Sequence, residues 1–287
     1  MFNSALWKKA LIESRWLFAC CAVFIYAVLW LRVWISSFFS SSALENMFSF
    51  MPEVIEPLLP VPFSQIATSA GRIAVGYDDP VVLLLMTVWA ISRGSDAVSG
   101  ELNRGTMEMV LAQPVTRVGV LWTQALVTIA GGALLATCGW LGTSTGLATV
   151  KLEESLSPWL FVPPAMNLFA LTVFLAGLTT LVSSATSYRS RTIGIVGGFY
   201  AVSMVVKIVG RMAPDFGWLA YLSFFTPFEP QLLVGDSARA WSFVHETAHG
   251  KLIAGGLGYD SILIGLGLAC YALATLVFWR RDLPAPL

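Results

Sequence analysis

Residues Gly100 to Arg117 read G-E-L-N-R-G-T-M-E-M-V-L-A-Q-P-V-T-R, a compact charged island between two strongly apolar segments. The stretch begins helix-like, breaks at Gly105, restarts at Thr106 and stops at Pro114; glycine and proline are the strongest punctuators of a helical run. Thr106 has the residue type of an N-cap, and Glu108 falls in the first turn, where the helix dipole favours a carboxylate. Met107, Val110 and Leu111 make a short apolar stripe, suited to a groove on a partner protein. Pro114 ends the helix and sends Arg117 back toward the headgroups. A mere connector between two apolar runs needs none of this. The island reads as a docking element, against the blander reading of a solvated loop with ordinary caps.

The chain around it belongs in a bilayer. Of 287 residues, 56% are hydrophobic and only 12% charged, with mean hydropathy +0.74. Soluble domains carry about 25% charged residues. Apolar runs near the roughly 20 residues that cross a bilayer fall at 16–34, 80–97, 120–150, 162–182, 192–210 and 259–279. The predicted fold is an all-α membrane protein, one transmembrane domain over 1–287 with six transmembrane helices. Cys20, Cys21, Cys138 and Cys270 all lie in apolar runs without a C-x-x-C pair, so they read as core hydrophobes. The first run is span-length and lacks a small-residue cleavage site, so no cleavable signal peptide is expected.

In the first fifteen residues, Leu6, Trp7, Ala10 and Leu11 recur at helical spacing, with Lys8, Lys9 and Glu13 off that stripe. This predicts an interfacial helix over 1–15. Trp16, Trp30 and Trp34 suit aromatic belts, and Arg32 is expected to snorkel outward. Residues 36–79 form a long polar connection with four prolines between 52 and 62, which exclude a regular helix there. The second span starts near Pro80 and is short, so it must borrow turns at one side. Gly131, Gly132, Gly139, Gly142 and Gly146 of the third span permit close helix approach. Gly194 and Gly198 are spaced as G-x-x-x-G, a weak signal. Arg93 and Asp96 are expected to pair locally, Lys207 to snorkel or line a cavity rim. Residues 211–257 form a second long polar segment.

Charge sets the orientation. With both termini cytoplasmic, the inner side carries ten basic residues (Lys8, Lys9, Arg15, Arg93, Arg104, Arg117, Arg189, Arg191, Arg280 and Arg281) against five acids. The remaining seven basic residues accompany twelve acids on the outer side. The positive-inside rule therefore places the island in the cytoplasm, and 36–79 and 211–257 outside.

These residues resemble the membrane subunits, or permeases, of type-2 ABC exporters. The resemblance rests first on the island, with Glu101, Arg104, Gly105, Thr106, Met107, Glu108, Val110, Leu111, Pro114, Val115, Thr116 and Arg117 matching the family's cytoplasmic segment between spans two and three. Met107 stands where leucine is common. A basic amphipathic start and Tyr221 to Phe228, Y-L-S-F-F-T-P-F, support it. The resemblance implies that the island is a coupling helix docked on a cytoplasmic ATPase subunit. It also implies a permease dimer with two such subunits in the cell (inner) membrane, and leaves room for an extracytoplasmic accessory protein. The chain has no Walker A pattern. ATP and Mg are thus expected on the partner, with no cofactor, catalytic residue or nucleic acid on this chain.

One motif competes. His245-Glu246-Thr247-Ala248-His249 is a full H-E-x-x-H, which on a helix puts two zinc ligands on one face with Glu246 as general base. Asp260, Asp236 and Glu229 are the third-ligand candidates, and Gly250 weakens a helix there. This leaves a zinc metallopeptidase or a non-catalytic metal site built on His245 and His249 as alternatives. A non-transporting membrane scaffold is a third.

Overall fold

A computed structural model describes residues 4–41, 44, 63–212, 218, 219, 221–246 and 252–281. The proline-rich stretch 52–62 and His249 lie outside the described residues. Six helical stretches are long and apolar enough to cross a membrane: Ser4–Ser36, Ser69–Asn103, Arg117–Thr149, Pro158–Ala185, Arg189–Gly210 and Gly256–Arg280.

Helix α1 (Ser4–Ser36) is one unbroken element of 33 residues. Among the described residues no break separates 4–15 from the first span, because residues 4–36 contain no glycine or proline to interrupt the ladder. At 1.5 Å per residue α1 is about 50 Å long, against roughly 30 Å of hydrocarbon. Part of it therefore projects beyond the apolar zone.

Residues 63–78 fold against the helices rather than forming a wholly external cap. Helix α2 (Phe63–Ala67) leads to α3 (Ser69–Ala74), whose N-cap Thr68 accepts from the Gly71 N–H. A 3₁₀ turn, Val75–Asp78, then runs into α4 (Pro80–Ser95). Tyr77 is fully buried, its hydroxyl 3.0 Å from Thr143 Oγ1. Asp79 caps α4 by accepting from the Val81 N–H at 2.9 Å. Arg32 does not snorkel free: Asp79 is within reach and the two form an ion pair.

Helices α5 (Glu101–Asn103) and α6 (Met107–Leu111) carry the island. Thr116 caps α7 (Arg117–Thr149), accepting from the Gly119 N–H. Gly139, Gly142 and Gly146 of α7 face Leu29, the Tyr26 backbone and Val33 of α1 so closely that a Cβ would collide. This is the small-residue packing used where lipid offers no competing hydrophobic drive. Helix α8 (Val162–Ala185) follows a 3₁₀ turn, Pro158–Phe161, and packs on α4, α7 and α9 (Arg189–Met212).

The chain then returns through α10 (Leu232–Gly235), α11 (Ser237–Ala240) and the antiparallel pair β1 (Val244–Glu246) and β2 (Leu252–Ala254) to α12 (Gly256–Arg280). Strand register pairs His245 with Ile253. Residues 223–228 fold back among the helices, and Phe224, Phe225 and Phe228 join a core with Met86, Trp89, Leu171 and Tyr271. Asn167 of α8 suspends this segment. Its Nδ2 donates to the Pro227 carbonyl at 3.0 Å and to Asp260 Oδ1 at 2.8 Å, and its Oδ1 accepts from the Glu229 N–H. Lys207 is not a snorkelling residue; its ammonium donates to the Phe225 and Phe228 carbonyls at 2.8 and 2.7 Å.

Candidate functional site

The island begins where α4 loses its regular winding. Asp96–Gly100 is a π turn, and such turns arise where a side chain enters the i→i−4 ladder. Here the intruder is Ser183 of α8. Its hydroxyl accepts from the Ser99 N–H at 2.8 Å and donates to the Ser95 carbonyl at 3.0 Å. The Ser99 hydroxyl in turn meets Thr192 Oγ1 of α9 at 2.9 Å. All three side chains are buried, so the turn is locked to α8 and α9 together.

Asp96, on this turn, draws in three arginines. Arg104 Nη1 lies at 2.7 Å, and Arg189 and Arg93 at 3.7 and 3.8 Å. Arg93 also donates to Gln124 of α7 at 2.5 Å. Burial alone would lower the Arg104 pKa, but the hydrogen bond and charge of Asp96, with those of Glu101, outweigh it and raise it. Arg104 thus keeps its charge.

Glu101 is the second hub. Its carboxylate is only 3% exposed, and accepts from Lys9 Nζ of α1 at 2.7 Å, from Arg104 Nη2 at 3.1 Å and from Thr106 Oγ1 at 2.5 Å. Lys9 also approaches Glu13 at 3.8 Å. Buried carboxylates need this density of partners. The same contact explains why Thr106 makes no side-chain cap on α6: its hydroxyl is already given to Glu101. The island's break is a Schellman turn. Gly105 has φ +69°, Gly105 N–H donates to Leu102 O and Thr106 N–H to Glu101 O. Only glycine takes that conformation without strain.

The apolar stripe of α6 points inward, not toward a partner. Met107 is 1% exposed, packed with Val98, Leu121, Ala274 and Phe278, and Leu111 leans on the same cluster. Val110 is half-buried. Periodicity marked these residues as one face, and α7 with α12 supplies the cover. The free edge consists of Asn103, Arg104, Gly105, Glu108, Met109, Ala112, Gln113 and Pro114, all exposed. Met109, 71% exposed, is its large apolar residue, and sequence reasoning passed over it. The discarded signal was its position two residues after Met107, on the opposite side of the turn. Arg117 Nη1 donates to the Arg281 carbonyl at 2.7 Å, while Arg281 itself donates to the Ser184 and Thr186 carbonyls at the end of α8. A cation there complements the helix dipole.

Of the H-E-x-x-H motif, residues 247–249 lie outside the described residues. His245 and Glu246 lie in β1, where successive side chains alternate sides. His245 Nε2 is 3.4 Å from Asp236 Oδ2. Among the described residues no group of three metal-ligating side chains converges.

The structure is thus a multi-pass helical bundle whose second and third spans are joined by a braced, partly exposed helical elbow. The chain belongs to the ABC-2 transporter family: the family described as ABC-2 family transporter protein matches residues 8–283. It is accordingly a permease subunit of an ABC transporter and an integral membrane protein, from a family whose members work with a cytoplasmic ATPase. No curated protein matches the chain closely.

Proposed function

We propose that this chain exports a substrate, or passes ATP-driven motion across the membrane, by receiving force at Glu101–Arg117 from a separate cytoplasmic ATPase. Both termini and the island face the cytoplasm of the cell (inner) membrane, as the basic excess on that side favours. Two copies of the permease act with two ATPase subunits, which bind the ATP and Mg. The observation that carries this reading is the two-sided character of the island. Its inner face is fixed by Met107, Glu101 and Asp96 to α1, α7, α8, α9 and α12, and its outer edge offers Glu108 and Met109 to another protein. A lever needs both a rigid root and a free contact edge.

Methionine is an adaptable contact residue, and charged rim positions set partner choice. Met109→Asp and Glu108→Lys, made in full-length protein co-expressed with its ATPase, are expected to abolish co-purification of the ATPase while leaving a monodisperse permease. ATPase capture that survives both substitutions sinks the coupling assignment.

A further inference from the structure

A groove of about 340 Å³ opens sideways between α7 and α8, away from the island and from the Asn167 network. That volume is at the low end of the roughly 300–1,000 Å³ range of ligand pockets. Its floor is made by Ala136 and Ala165, 4% and 7% exposed, with Ala133 beside them. Small residues on facing helices leave the hollow. Trp140 and Trp159 close one end, ring centroids 5.8 Å apart, and Phe169 stands at the other.

The lining contains no charged side chain and, apart from the exposed Trp159 at one end, no free donor. Trp140 Nε1 is given to the Pro158 carbonyl at 2.9 Å and Thr137 Oγ1 to the Ala133 carbonyl at 2.8 Å. An occupant with a polar group in the hollow would leave that group unpaired, at a cost of several kcal/mol in an apolar medium. The occupant is therefore hydrocarbon. From Trp159 to Phe169 the groove runs about 15 Å by helical rise, close to half of the roughly 30 Å hydrocarbon thickness. A groove of that length fits within one leaflet, and its tryptophan end suits the interface where such rings concentrate. It is continuous with lipid-facing side chains of the same helices, including the exposed Leu134, Leu141 and Trp159. Helix α9 packs on α4 and α8, and its Gly194, Gly197 and Gly198 meet no other side chain, so a second copy of the chain has a flatter face available elsewhere.

We propose that this groove is a resident lipid site, holding one acyl chain of a membrane phospholipid lengthwise between α7 and α8. Dispersion contacts along a concave wall exceed those on a convex helix surface, so a chain seated there exchanges more slowly than its neighbours.

The test uses the full-length protein in phosphatidylcholine vesicles containing a trace of phospholipid with a mid-chain diazirine. Photolabel is expected to be enriched several-fold on peptides bearing Ala133–Trp140 and Val162–Phe169 over those of α9. Ala136→Phe fills the floor and is expected to remove the enrichment. Trp159→Ala, at an exposed position that does not support the core, is expected to reduce it and covers the case in which the filled variant fails to fold. Excess free fatty acid is expected to leave the label in place. Equal labelling of α9 and the groove overturns the proposal, as does enrichment unchanged in both variants. Loss of label to free fatty acid, or α7–α8 cross-links between two copies, assigns another occupant and also overturns it.

Discussion

Helices α8 and α9 are each 24 residues long, adjacent in sequence and apolar enough to span a membrane. Yet 72% of the most apolar stretch in Pro158–Ala185 is buried, against 17% in Arg189–Gly210. The buried helix takes its polar side chains inside with it: Asn167, Thr172, Thr179, Thr180, Ser183 and Ser184 are all buried. The exposed helix presents Ile195, Phe199, Val202 and Val205. This inverts the rule for proteins in water. Lipid solvates leucine and isoleucine as well as a core does, so centrality goes to residues that allow close backbone approach or need hydrogen-bond partners. Threonines 172, 179 and 180 meet that need within the helix, each donating to the carbonyl four residues back.

The largest expected effect breaks this contrast at its tightest point. A Cβ on Gly177 would collide with the Gly267 carbonyl of α12. Gly177→Leu should give aggregated protein by size-exclusion chromatography, since backbone cannot rotate away as a side chain does. Next is Asn167→Leu, which strips Asp260, Pro227 and Glu229 of their partner. A loss of roughly 2–5 kcal/mol is expected from unpaired buried groups, read as a lower melting temperature in detergent. Substituting Asp260→Leu in the same chain should recover part of it. Ser183→Ala removes the hydroxyl from the π turn and should cost about 1–2 kcal/mol. Its sharper readout is functional: ATPase binding is retained while stimulation of ATP hydrolysis on assembly falls. Smallest for the lone chain is Gly198→Leu on α9, expected within about 0.5 kcal/mol of wild type. Disulfide-trapped dimer yield then tells whether a second copy uses that face. A Gly198→Leu chain that fails to fold would erase the distinction between the two helices.

Much of this was legible in the sequence because hydropathy and breakers are local properties. The six spans follow from apolar runs, and the elbow from Gly105 and Pro114. What covers each face was not legible. Met107 and Leu111 share a stripe whoever sits opposite, and the covering residues, Leu121 and Phe278, are distant in the chain. Thr106 had the type of a cap, but Glu101 captured its hydroxyl through a turn that only three dimensions supply. Ser183 resembled any serine near a helix end. His245 and His249 matched a helical zinc motif by spacing alone, whereas Val244 and Ile253 favour the strand pairing in which they lie. The join of α1 was hidden because an amphipathic start predicts a surface position without predicting a bend.

The placement of α8 has a consequence for how the protein is made. Asn167 finds Asp260 only 93 residues further along, and Gly177 finds Gly267 at a similar interval. At roughly 5–20 residues per second, a ribosome takes about 5–20 s to deliver α12 after α8 has emerged. Through that interval the most buried of the six candidate spans sits in or beside the insertion machinery with one flank bare. A nascent chain arrested before α12 thus keeps that flank of α8 uncovered, and α12 is what covers it.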